Sequence, residues 1–94
     1  GMGSELFKTG SEMMTAGIGE LVRTGYGREI QACMRRHKRG DWGDLSEEDK
    51  QVNEDALKNG ERLLSAYDLS NGAHIYIITE WDRSVTTVLL ASEY

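Results

Sequence analysis

His37, Asp41 and Asp44 follow one another at four- and three-residue spacing, and Glu80, Asp82 and Arg83 form a second polar group further along the chain. An imidazole beside carboxylates can hold a divalent cation, and hard carboxylate oxygens suit magnesium or manganese. Glu80 and Asp82, two apart on an extended segment, point to the same side. Brought together, the groups would make a metal-dependent hydrolase for a phosphorylated or nucleotide substrate. His37, Asp41 and Asp44 would be ligands, Glu80 or Asp82 a ligand or base, and Arg83 an anion clamp. No spacing matches an established metal motif such as HExxH, so the sequence assigns no catalytic residue, no metal and no cofactor.

The same residues also have a purely structural explanation. His37 continues an apolar helical stripe and is expected as a core-edge histidine bonded to backbone. Asp41, Asp44 and Asp82 are turn residues whose carboxylates cap nearby N–H groups. Trp42, between two glycines, reads as a plug that fixes its loop against the core, and Glu80 is expected to pair with Arg83 or Arg62. Cys33 falls on a buried helix face and is read as inert. The glycines at 17, 19, 25 and 27 form no phosphate loop, because no Gly-Lys-Ser/Thr follows them.

The elements that must position these groups are legible in places. Tyr26, Ile30, Cys33, Met34 and His37 recur at helical steps, which predicts a helix over 27–38 with basic residues on its last turn and Gly40 as its stop. Ser46 with Asp49 opens a second helix, closed by Asn59-Gly60. Its thin stripe of Val52, Ala56 and Leu57 places it on the outside of the domain. Asn71-Gly72 predicts a hairpin between strands 62–69 and 73–81, and 85–90 supplies a third strand. A two-residue loop at 71–72 would put Leu64, Ala66, Ile75, Ile77 and Trp81 on one face. The other face would carry Leu63, Ser65, Tyr67, Leu69, His74, Tyr76, Ile78 and Glu80. The expected fold is α+β, with two helices on one face of a small antiparallel sheet (a meander over 62–90); short strands are expected around 5–8 and 18–23, and an N-terminal strand extends the sheet. Residues 1–17 read as a leader, partly tag-derived (Gly1 before Met2) or disordered, ahead of a single domain over 18–94.

Composition limits what the domain can be. Ninety-four residues fit one domain, and 38% hydrophobic with 29% charged residues describes an ordinary folded chain. Eleven basic against sixteen acidic residues leave a charge of −5, which argues against a general nucleic-acid binder. A DNA-mimicking inhibitor would need a denser carboxylate array. The single cysteine rules out an internal disulfide framework and, with no secretory signal, points to the cytoplasm. No apolar run reaches the roughly 20 residues of a membrane helix.

Two motifs carry a resemblance. His37-Lys-Arg-Gly40-Asp41-Trp42-Gly43-Asp44 and Ile77-Ile78-Thr79-Glu80-Trp81-Asp82-Arg83-Ser84-Val85-Thr86-Thr87-Val88-Leu89-Leu90, within residues 21 to 94, resemble a family of small uncharacterised bacterial proteins related to plasmids and other mobile elements. The resemblance implies a setting and no mechanism. With two short helices able to cover only one sheet face, a face bearing Tyr67, Tyr76 and Ile78 is expected to be partly open as a partner surface, used first for homodimerisation. The expected function is that of a small accessory protein acting by protein–protein or other macromolecular interaction, with the metal-dependent hydrolase as the alternative.

Overall fold

Thr15, Ser46 and Gly60 mark helix boundaries by elementary chemistry. The hydroxyls of Thr15 and Ser46 accept from the N–H groups of Ile18 and Asp49, and Gly60 ends its helix in the left-handed region at φ 68°. The computed structural model describes residues 5–94. Its elements are β1 (Ser11–Met14), α1 (Ala16–Leu21), α2 (Gly27–Lys38), α3 (Glu47–Asn59), β2 (Leu63–Asp68), β3 (His74–Thr79) and β4 (Val85–Leu90). A kink over Val22–Tyr26, with Gly25 at φ 107°, joins the first two helices.

The fold is α+β, with one four-stranded sheet in the order β1-β4-β3-β2. β2, β3 and β4 form the expected antiparallel meander, while β1 adds to β4 in parallel, so the sheet is mixed. The N-terminal strand exists but lies at 11–14, and residues 18–23 are helical because Thr15 caps α1 there. The expected domain boundary after residue 17 therefore falls inside α1, and β1 belongs to the sheet. Expectations for residues 1–4 lie outside the described residues.

The hairpin register differs by one residue from the expected one. Asp68 faces His74, Leu69 N–H donates to Ala73 at 2.8 Å, and Ser70, Asn71 and Gly72 form a three-residue loop with Gly72 at φ 87°. A type I turn closed by a left-handed glycine uses the same Asn-Gly signal as a two-residue loop. A one-residue slip exchanges the faces of one strand relative to its neighbour. Leu63, Ser65 and Tyr67 consequently share the inner face with Ile75, Ile77 and Thr79, and with Thr86 and Val88 of β4.

Ile18 of α1 and Ile30, Cys33 and Met34 of α2 pack on this inner face with Tyr67, Leu69, Ile75, Ile77 and Val88. Tyr67, expected on the open face, is thus buried, and its hydroxyl donates to the Asp41 carbonyl at 2.7 Å. A smaller cluster of Trp42, Ala56 and Leu63, flanked by Phe7, Leu45 and Leu57, seats α3 beside β2. Trp81, expected on a sheet face, stands 67% exposed at the turn after β3. Among the described residues no helix is long and apolar enough to cross a membrane.

Candidate functional site

The strongest polar constellation is built around His37, which is fully buried between α2 and the sheet. Its Nδ1 lies 2.5 Å from Ser65 Oγ and its Nε2 lies 2.8 Å from Thr79 Oγ1. Thr79 Oγ1 in turn meets Thr86 Oγ1 at 2.7 Å, and Thr86 donates to the Thr9 carbonyl at 2.8 Å. That carbonyl can only accept, and each hydroxyl has one hydrogen to give, which orients the whole chain. Thr86 spends its hydrogen on Thr9, so Thr79 donates to Thr86 and His37 Nε2–H donates to Thr79. Nδ1 of the neutral ring then accepts from Ser65. Burial first, and the charges of Arg83 and Lys38 second, push the His37 pKa from 6.5 to about 4. Phe7 and Trp42 close the cage with rings edge-on to the imidazole at 5.2 and 5.9 Å.

A serine oxygen within hydrogen-bond reach of a histidine is the start of a nucleophile–base pair. Here both residues are 0% exposed, and the second ring nitrogen meets a threonine where a triad would place a carboxylate. Enclosed at that depth, the pair ties α2 to β2 and, through Thr79 and Thr86, to β3 and β4. His37 was expected to bond backbone; it bonds the hydroxyls of Ser65 on β2 and Thr79 on β3 instead, with Thr86 of β4 joined through Thr79.

Asp41, Trp42, Asp44, Asp82 and Arg83 are each engaged locally. Asp41 accepts from Arg36 at 2.8 Å and caps Gly43 N–H, and Arg36 is the leading cause of its lowered pKa. Trp42 is buried and donates from its indole to Glu54 at 2.8 Å. Asp44 accepts from Asp68 N–H at 3.0 Å. Asp82 caps Ser84, whose hydroxyl holds the Asp82 carboxyl below its usual range. Arg83 donates to the carbonyls of Glu61, Glu80 and Ala56 and lies over the Phe7 ring. Glu80 therefore meets Arg83 through its backbone carbonyl. Among the described residues, no three or more His, Cys, Asp and Glu side chains are grouped to hold a metal.

What these residues do together is close one edge of the sheet. Trp42 C=O accepts from Ala66 N–H at 3.1 Å, and Asp44 N–H donates to Ala66 C=O at 2.7 Å. Asn53 of α3 does the same for Leu64, accepting its N–H at 3.1 Å and donating to its carbonyl at 2.7 Å. With Asp44 on Asp68 N–H, every outward residue of β2 has a partner. Gly43 permits the approach: it sits at φ 78°, and a Cβ there would collide with the Ala66 carbonyl and the Tyr67 ring.

The opposite edge is open. Ser11 and Thr15 N–H groups donate to Ser84 and Val88, and strand alternation turns the backbone groups of Glu12 and Met14 outward. Among the described residues nothing bonds them, and all four residues of β1 are exposed, Met13 and Met14 by 55% and 56%. Beside this edge a cleft of about 380 Å³ runs between β1 and α2, floored by Met14, Ile18, Ile30 and Met34 and rimmed by Arg35 and Lys38. Lys38 pairs with Glu12 at 3.0 Å. Arg35 is exposed and joins no ion pair among the described residues.

The reverse face carries the other two interface candidates, Tyr76 and Ile78. Ile78 is buried; Tyr76 is half-buried with Tyr94 packed edge-on at 5.5 Å and Arg62 across Tyr94. Sequence reasoning missed Asn53, Ser65, Thr79, Thr86 and the β1 edge. Three inward hydroxyls facing one histidine were the available signal for the network, and it depended on the hairpin register. Comparison of this chain with protein-family models, curated proteins and solved structures returned no match.

Proposed function

We propose that this chain is a protein-binding module that accepts an extended segment of polypeptide as a fifth strand beside β1. The observation that carries it is the asymmetry of the sheet. One edge is sealed by Trp42, Asp44 and Asn53, while the other offers unpaired backbone groups next to an apolar cleft. An open edge attracts strand addition, and natural sheets usually protect such edges. Main-chain hydrogen bonds supply affinity in this mode, and alternate side chains entering a flanking groove supply selectivity. The setting we propose is a bacterial cytoplasm, in an accessory protein of plasmid or mobile-element kinship. Of the polar residues expected of a hydrolase, His37 is enclosed in a hydroxyl network, Asp41, Asp44 and Asp82 cap N–H groups and Arg83 binds backbone carbonyls, which supports the binding reading.

A displayed library of random decapeptides, selected on the purified protein, tests this. Selected peptides should adopt strand structure on binding and protect the Glu12 and Met14 amides from hydrogen exchange. Binding should be lost on Met14→Pro, which removes an outward N–H that no internal bond uses, and kept on Tyr76→Ala. Peptides that ignore Met14→Pro and fail on Tyr76→Ala would move the site to the reverse face.

A further inference from the structure

We infer that the segment this edge is built to take is β1 of a second copy, paired antiparallel about a two-fold axis at Met13. The inference rests on the strand-addition reading above. Four residues with two outward members are self-complementary: Glu12 opposes Met14 of the second copy, Met14 opposes its Glu12, and Met13 opposes Met13. Both outward residues then exchange N–H···O=C bonds with their opposites. The two exposed methionines are covered in the same step, Met13 by Met13 of the second copy on the outer face and Met14 by its Glu12 on the inner one.

Charge agrees with this pairing. The register places Glu12 and Met14 on the inner face, beside Thr86 and Val88, where the helices lie. Lys38, at the end of α2, pairs with Glu12, while Glu29 near its start accepts from Ser70 in the hairpin loop, at the end of the sheet toward which β1 runs. Hence α2 runs antiparallel to β1, and Arg35, one turn before Lys38, lies on the Met14 side of it. Glu12 of the second copy, arriving opposite Met14, therefore enters the cleft beside Arg35. It finds there the exposed guanidinium that has no ion pair among the described residues of its own chain. The two-fold repeats that pair. Each copy carries −5, and the pairing also sends that charge apart. The acidic helix α3, with Glu47, Glu48 and Asp49 in its first turn, flanks β2, at the two far ends of a continuous eight-stranded sheet.

Sedimentation velocity from micromolar to millimolar concentration, with hydrogen exchange at both limits, is the test. The wild type should reach dimer mass, with protection of the Glu12 and Met14 amides rising alongside it. Met14→Pro should be monomeric while its thermal melt stays close to wild type. Arg35→Glu, an exposed change, should weaken association by about tenfold or more by facing a carboxylate with a carboxylate, and Arg35→Lys should retain it. A dimer that survives Met14→Pro and dissociates on Tyr76→Ala would overturn the inference in favour of the reverse face. A wild-type monomer at millimolar concentration would also overturn it. In that case, peptides selected on β1 would show that the edge takes foreign strands only, whereas failure of selection as well would remove the strand-addition reading itself.

Discussion

Acid should destabilise this protein through His37 before its carboxylates protonate. The folded state keeps the imidazole neutral with a pKa of about 4, whereas the unfolded chain returns to 6.5. Between those values the unfolded state binds more protons, so stability falls as the pH drops. The contribution is fully present above pH 6.5 and is lost on the way down to pH 4. Linkage gives a loss of about 2 kcal/mol by pH 5 and about 3 kcal/mol by pH 4, out of the 5–15 kcal/mol typical of a domain. Urea unfolding at pH 7, 6, 5 and 4.5, on wild type and on His37→Gln, measures it. The variant should be less stable at pH 7 by about 1–3 kcal/mol, because the buried hydroxyls lose a partner. The gap between the two proteins should then shrink by about 2 kcal/mol at pH 5. A gap independent of pH would refute the reasoning. If the variant does not fold, ring nitrogen shifts of wild-type His37 decide: they should report a neutral Nε2–H tautomer that does not titrate between pH 7.5 and 5.

Closing of the β2 edge gives three further expectations. Gly43→Ala should cost about 2 kcal/mol or more in urea unfolding, since the position combines a positive φ with the collision against Ala66. Asn53→Leu should cost about 2–3 kcal/mol, leaving the Leu64 N–H and C=O unmet, and Leu64 should exchange its amide hydrogen faster. Trp42→Ala should cost about 3–5 kcal/mol through the cavity left among Ala56, Leu63 and Phe7, with loss of near-ultraviolet circular dichroism. Calorimetric titration with Mn²⁺ should give no saturable heat on wild type or on Asp41→Ala, because the carboxylates are dispersed on separate caps.

Local chemistry made much of the fold readable. The stripe from Tyr26 to His37, the Ser46 cap and Asn59-Gly60 place α2 and α3 without any knowledge of tertiary structure. Asn71-Gly72 places the hairpin but not its register, since two- and three-residue loops share that dipeptide. That single residue decides whether Tyr67 shares a face with Tyr76 or turns toward the helices, and so whether two aromatics or one are available to a partner. The N-terminal region was opaque for a different reason. Ser-Glu-Met-Met has neither alternation nor β-branched residues, and its strand form comes from a long-range pairing with β4. His37 and Trp42 stood out by type and spacing, yet their roles are set by Ser65, Thr79 and Glu54, which sit far from them in sequence.

That long-range pairing shapes how the molecule is made. β1 touches the ladder only through β4, Ser11 lying against Val85, so the meander must be in place before the arm has anything to grip. Until then β4 presents a bare rim. In a crowded refolding mixture, the arm of a neighbouring molecule makes the same contacts as its own, and it competes as protein concentration approaches the effective concentration of the tethered arm. Slow, dilute refolding should therefore yield self-contained molecules, and rapid, concentrated refolding a share of arm-exchanged pairs.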